Sequence, residues 1–178
     1  MFTGSSGKIS TKCRRIVRPQ FSPQSRKELG DAVEECLRLS PVGACTTNAH
    51  GPMKDWNVSA IANMHVIFSF AYTFNADISK WNVSAVTNMN RMFFFAKAFN
   101  ADISKWDVSA VVDMNRMFSN ANAFSADISK WDVSSVTDMN GMFYETASFN
   151  TDISKWNVSA VNDMEKMFAK SSSFSQVL

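Results

Sequence analysis

Tryptophan occurs at 56, 81, 106, 131 and 156 and at no other position. The period is 25 with no slippage, and phenylalanine keeps the same beat at 74, 99, 124, 149 and 174. A Met-x-x-Met-Phe element recurs at Met89/Met92/Phe93, Met114/Met117/Phe118, Met139/Met142/Phe143 and Met164/Met167/Phe168, with Met64/Ile67/Phe68 as its first copy. A fixed period in the range of about 20–50 residues marks a solenoid or array, in which each unit buries an apolar face only by stacking on its neighbours. Strict spacing also argues against a globular enzyme, whose loops vary in length. The 178 residues suffice for one such domain with a real core.

One unit, Phe99 to Asn122, shows how the period is filled. "DISKW" at 102–106 alternates apolar and polar residues, which predicts a short strand continued by "WDV". "VVDMNRMFSNA" then places Met114, Met117, Phe118 and Ala121 at spacings of three, four and seven, which predicts one face of a short helix. The expected fold is therefore an α/β solenoid: a stack of short strand plus short helix, about five 25-residue repeats, closed by an N-terminal capping helix. Identical aromatic and methionine positions in such a stack read as core, because they fall on one another, and methionine fills irregular gaps without demanding an exact shape.

The polar columns are equally regular. Asp77, Asp102, Asp127 and Asp152 repeat with Lys80, Lys105, Lys130 and Lys155 three residues on, so charge is offset along the stack and no metal, calcium included, is expected. The slot after each tryptophan holds Asn57, Asn82, Asp107, Asp132 and Asn157. Both residue types accept a hydrogen bond from the backbone two residues on, so the slot fits an Asx turn. Asn57, Asn82 and Asn157 also form N-x-S sequons, relevant only in a secreted chain, and the slot itself does not require a sugar because aspartate fills it too.

The ends depart from the period. Residues 1–27 carry seven basic residues and no acid, whereas residues 28–178 hold eleven basic against sixteen acidic ones. This basic arm, with Arg14, Arg15 and Arg18 at its centre, reads as a targeting segment like an organelle transit peptide, as a docking arm for an acidic partner, membrane surface or assembly, or as an inert tail. Residues 28–52 read as a capping helix and turn: Leu29, Val33, Cys36 and Leu37 form a helical stripe in 28–39, which Pro41 and Gly43 close. Residues 53–178 are the repeats. Cys36 and Cys45 flank the helix end, either as a disulfide pinning the cap to the first repeat or as two reduced buried thiols, and Cys13 is left over in the arm. The fifth repeat breaks off at "FSQVL" without a polar capping element, which fits a frayed coil, a coil covered by a partner, or a piece of a longer array.

Function is expected where copies disagree. Positions outside the apolar pattern are polar in later copies (Ser119, Asn120, Glu145, Lys170) but aromatic in the first two (Phe70, Tyr72, Phe94, Phe95). A local apolar patch on a polar face marks a contact site, with the arm folding back over it, or lateral burial by other means, as the alternatives. The two histidines, His50 and His65, fall in different phases of the repeat, and no P-loop, G-x-S-x-G, H-E-x-x-H or G-x-G-x-x-G motif is present. Catalysis needs unlike groups converging on one point, so neither an enzyme nor a cofactor is expected. Nucleic-acid binding is not expected either: the repeats are acidic, and no arginine column with stacking aromatics tracks along them. No run approaches the roughly 18 apolar residues of a membrane-spanning segment.

The unit F-N-x-D-I-S-x-W-[DN]-V-S-x-V-x-x-M-x-x-M-F-x-x-A resembles the BspA-type surface-protein repeat first known from mycoplasmas, a family that looks like a divergent branch of the leucine-rich repeats. The match covers roughly residues 53–178 and is nearly complete in three consecutive copies. The resemblance implies a right-handed, leucine-rich-repeat-like solenoid, a binding or adhesion role, a cell-surface or secreted location, and no catalytic residues. With a transit peptide in residues 1–27 the location would instead be an organelle. Two functions are expected: a repeat scaffold for protein–protein or surface binding, or a structural accessory subunit of a larger assembly, docked by the basic arm and the aromatic patch.

Overall fold

The computed structural model describes residues 19–176. Helix α1 spans Arg26–Leu39, two residues earlier at its start than the sequence suggests. Ser25 caps it, its hydroxyl accepting from the Glu28 N–H at 3.2 Å, while the Glu28 carboxylate accepts from the Gln24 N–H at 2.8 Å. Leu29, Ala32, Val33 and Cys36 form its buried face. The Arg26 guanidinium donates to the His65 carbonyl at 2.6 and 3.2 Å, tying the helix to the first repeat. Gly43 follows with φ +89°, a left-handed conformation in which a Cβ would sit 2.6 Å from the Phe74 ring.

Each repeat is one coil of turns laid on the next; coils one to five carry Trp56, Trp81, Trp106, Trp131 and Trp156. Three Asx turns steer each of coils two to five. In coil three, Asp102 accepts from the Ser104 N–H (2.9 Å), Asp107 from Ser109 (3.1 Å) and Asp113 from Asn115 (2.9 Å). The Trp106 N–H closes onto the Ile103 carbonyl at 3.1 Å and the Val111 N–H onto Val108 at 2.9 Å. "DISKW" therefore bends where a strand was expected, because short acceptor side chains offer its N–H groups a nearer partner than a neighbouring strand.

The expected helix is absent for a related reason. The N–H groups of Met114, Arg116, Phe118 and Asn120 donate across to the carbonyls of Asp138, Asn140, Met142 and Tyr144 in the next coil, at 2.8–3.0 Å. A helix would spend them on carbonyls four residues back. The intervening N–H groups of Met117, Ser119 and Ala121 close tight turns onto Met114, Arg116 and Phe118. Arg116 (φ 51°) and Asn120 (φ 60°) take the left-handed conformation this alternation needs, as do Arg91, Phe95 and Glu145 in other coils. Tight turns return the chain to the core every three or four residues, which imitates helical spacing.

The expected α/β solenoid of strand plus helix, and the leucine-rich-repeat-like solenoid with it, is thereby overturned. Among the described residues α1 is the only α-helix. The coils meet through isolated parallel bridges at Asn63, Asn88, Asp113, Asp138 and Asp163, and no sheet forms among the described residues.

The core runs the length of the stack as two columns of parallel rings. Phe68, Phe93, Phe118, Phe143 and Phe168 lie 5.4–5.8 Å from coil to coil. Phe74, Phe99, Phe124, Phe149 and Phe174 lie 5.7–6.0 Å apart, and the two columns approach to 3.8–4.1 Å within a coil. Such pairs add about 0.5–1.5 kcal/mol each beyond simple burial. Trp81, Trp106, Trp131 and Trp156 are buried, each Nε1–H donating to a carbonyl of the preceding coil (Met53, Ile78, Ile103, Ile128) at 2.9–3.2 Å. The tryptophan and methionine stripes are thus core, except at coil five, where Met164 is 40% exposed while Met89, Met114 and Met139 are fully buried.

Candidate functional site

The run of turns forms a ridge down one side of the stack, at residues 63–72, 88–97, 113–122, 138–147 and 163–172. Most of it is a ladder of matched polar groups. The Asn90 amide donates to Asp113 at 3.1 Å, Asn115 to Asp138 at 3.2 Å and Asn140 to Asp163 at 3.1 Å, each reaching the next coil. Some positions expected to face outward turn inward: Ser119 is buried, and Asn120 and Glu145 are half-buried.

Coils one and two break this pattern. Phe70 is 54% and Tyr72 51% exposed, while Phe94 and Phe95 are half-buried beside them. The Phe70 ring lies 5.4 Å from both Phe94 and Phe95 and 6.3 Å from Tyr72, and Phe94 meets Phe95 at 4.6 Å. The four rings expected as a contact patch are therefore one cluster. Phe70 (φ 61°) and Phe95 (φ 58°) hold their places on it with left-handed backbones.

Two cations flank the cluster. The Arg91 guanidinium lies over Phe94 at 5.7 Å, and the Lys97 ammonium over Tyr72 at 5.5 Å. The ion pairs among the described residues join Lys27 to Asp31, His50 to Glu35, Lys166 to Glu165 and Lys170 to Glu145, so neither Arg91 nor Lys97 has a carboxylate. Residues 63–72 and 88–97 contain no acid at all. Partial burial holds the His65 imidazole below its usual pKa, and the charges of Arg26 and Arg91 push it further down.

Further along, the same ridge is neutralised. Lys170, in the column of Phe70 and Phe95, donates to Glu145 at 2.6 Å and lies 5.3 Å from the Tyr144 ring centre. The Glu145 hydrogen bond, then that of Tyr144, pushes the Lys170 pKa up. A shallow groove of about 650 Å³ connects the regions, running from Phe94 and Phe95 past Arg116 to Tyr144 and Lys170.

The Asx slots behave alike with either side chain: Asn82 accepts from the Ser84 N–H at 3.1 Å and Asp107 from the Ser109 N–H at 3.1 Å. Where the slot holds aspartate, the serine hydroxyl and then its N–H hold the carboxyl below its usual pKa, as at Asp107 and Asp132. Cys36 and Cys45 form a sulfur pair with Cα atoms 5.4 Å apart, a separation that suits a disulfide. Arg14, Arg15, Arg18 and Cys13 lie outside the described residues. Among those described, no group of three or more His, Cys, Asp or Glu side chains is placed to hold a metal ion, and no helix is long and apolar enough to cross a membrane.

Residues 39–129 and 102–178 match the family described as "Mycoplasma protein of unknown function, DUF285". The chain belongs to this family. The two matched stretches overlap and together take in all of the DUF285 repeats, so the coils are the units of a repeat family whose function its description leaves open. No curated protein and no solved structure matches the chain.

Sequence reasoning found the four aromatic residues and missed the cations beside them. The signal was available column by column: Lys166 and Lys170 have acids in register at Glu165 and Glu145, whereas Arg91 and Lys97 have none in their own or the preceding ridge segment.

Proposed function

We propose that this DUF285 chain is a non-enzymatic repeat scaffold for protein–protein contact, with the ridge of coils one and two as its contact surface. The observation that carries the reading is the exposed Phe70, Tyr72, Phe94 and Phe95 cluster, on columns that coil three fills with Asn120, Asn122 and Ser119. Nothing in the core requires these rings, and a clustered apolar patch in water is stabilised by a partner that covers it. The regular polar groups support a scaffold without catalysis, since the carboxylates recur as turn-formers and do not converge on unlike groups. The narrower resemblance to BspA-type repeats supports surface binding as the setting.

The test is affinity capture from native cells with the wild-type chain and a Phe70→Ser/Tyr72→Ser variant, checked for folding by thermal melting. Loss of bound protein from the folded variant supports the reading; equal capture by both chains contradicts it.

A second reading, a structural subunit of a larger assembly docked by the basic arm and the aromatic patch, is favoured by the seven basic residues and no acid in residues 1–27 beside repeats that are acidic as a whole. In that case the arm would be a second contact, and a chain without residues 1–18 would lose assembly partners that the ridge variant keeps.

A further inference from the structure

The geometry points to the chemistry of the partner: the ridge of coils one and two takes a short acidic protein segment in which an apolar side chain is flanked on both sides by carboxylates. This rests on the ridge being a contact surface and goes beyond it by fixing the occupant's charge and pattern. The aromatic cluster supplies the apolar seat. Arg91 borders it through Phe94, and Lys97 borders it through Tyr72, so the two cations stand over different rings of the seat. An apolar anchor on the rings places flanking carboxylates within reach of both.

Charge complementarity selects this occupant over the others. The cations of coils four and five have carboxylates of their own (Lys166 with Glu165, Lys170 with Glu145), while Arg91 and Lys97 have none. Repeats that are acidic as a whole thus hold one stretch of ridge with cations and no acid of its own, and the Asp113 carboxylate at its border is engaged by the Asn88 and Asn90 amides. The chain's own basic arm is the wrong sign for it: Lys8, Lys12, Arg14, Arg15 and Arg18 would meet Arg91 and Lys97 with repulsion. A nucleic acid could stack on the rings, but following the ridge would carry its phosphates onto Asp113, Asp138 and Asp163. Those carboxylates confine a negatively charged guest to the first two coils.

The experiment uses the full chain and fluorescence anisotropy with four labelled probes. Three are peptides with a Leu-Phe centre flanked on both sides by glutamate, serine or lysine, and the fourth is an oligothymidine strand. The glutamate peptide is expected to bind tightest, more weakly as salt is raised, and about tenfold more weakly to an Arg91→Glu/Lys97→Glu chain. Arg91→Gly, which places in coil two the residue that Gly141 supplies in coil four, is the second variant, and it guards against misfolding of the first. Equal binding of the serine peptide overturns the charge assignment and leaves the contact surface standing. Preference for the lysine peptide or the oligothymidine overturns the inference outright, as does absence of binding by every probe. Sedimentation of the chain alone gives a further check: self-association lost on Phe70→Ser makes a second copy the occupant and also overturns it.

Discussion

The ridge of coils one and two and the ridge of coils four and five share one backbone and differ in surface. Both run through the same tight turns and the same left-handed positions, at Phe70 and Phe95 in one and at Glu145 and Lys170 in the other, and coil four donates its N–H groups to coil five as coils one and two donate to the coils after them. In coils four and five the outward columns carry Tyr144, Glu145 and Lys170, which satisfy one another at 2.6 Å and across the tyrosine ring. In coils one and two the same columns carry Phe70, Phe94 and Phe95, with Arg91 and Lys97 unopposed. The turn array accepts either surface because its stability resides in the ring columns behind the ridge and in backbone bonds between coils. Surface and scaffold are separable, and variants should separate them.

The largest effect belongs to the shared scaffold. Phe118 sits mid-column with no exposure, so Phe118→Ala should cost about 3–5 kcal/mol and lower the melting temperature of the whole chain, disabling both ridge regions together. A chain that keeps its melting temperature after this change would break the claim that the columns hold the stack. Gly43→Ala comes next. It forces a Cβ against Phe74 at a φ of +89°, at a cost of about 1–3 kcal/mol, seen as earlier unfolding in denaturant. Phe70→Ser/Tyr72→Ser should alter stability by only about 0.5 kcal/mol while removing the contact, because exposed side chains contribute little to folding. If that variant unfolds, the cluster is core and the comparison fails.

The smallest effect is electrostatic. The Asp107 carboxyl is held below its ordinary value of about 3.9 by the Ser109 hydroxyl and N–H. A group whose folded pKa is depressed stabilises the fold above its unfolded value, and that contribution is lost as pH falls through the folded one. Asp107→Asn keeps the Asx turn, as Asn82 does, and removes the titration. Thermal melts should therefore show the wild-type chain slightly more stable than the variant at neutral pH, with the gap closing below about pH 4 as the carboxylate protonates.

How much of this was legible in the sequence depended on what each residue reports. The period of 25, the burial of Trp106 and Met114, and the Asx turn at Asp107 were readable, because identical positions in an array stack and Asn or Asp share one acceptor geometry. The conformation between them was not. Met114, Met117, Phe118 and Ala121 have helical spacing, yet the N–H of Arg116 goes to Asn140 in the next coil, and no local pattern announces a hydrogen bond 24 residues away. The left-handed residues were equally hidden: only Gly141 marks that position with a glycine, while Val66, Arg91, Arg116 and Lys166 adopt it without one. Of the candidate site, the aromatic half stood out as a break in the repeat. Its cationic half emerged only when the ring contacts placed Arg91 over Phe94 and Lys97 over Tyr72.

Amide chemical shifts of the isotope-labelled chain, followed while the glutamate-flanked Leu-Phe peptide is added, test the central claim most directly. Changes are expected only at the amides of Val66 to Tyr72 and Arg91 to Lys97, with Gly141 to Glu145 and Lys166 to Lys170 unmoved. Changes centred on those later coils, or spread evenly along the stack, would contradict it.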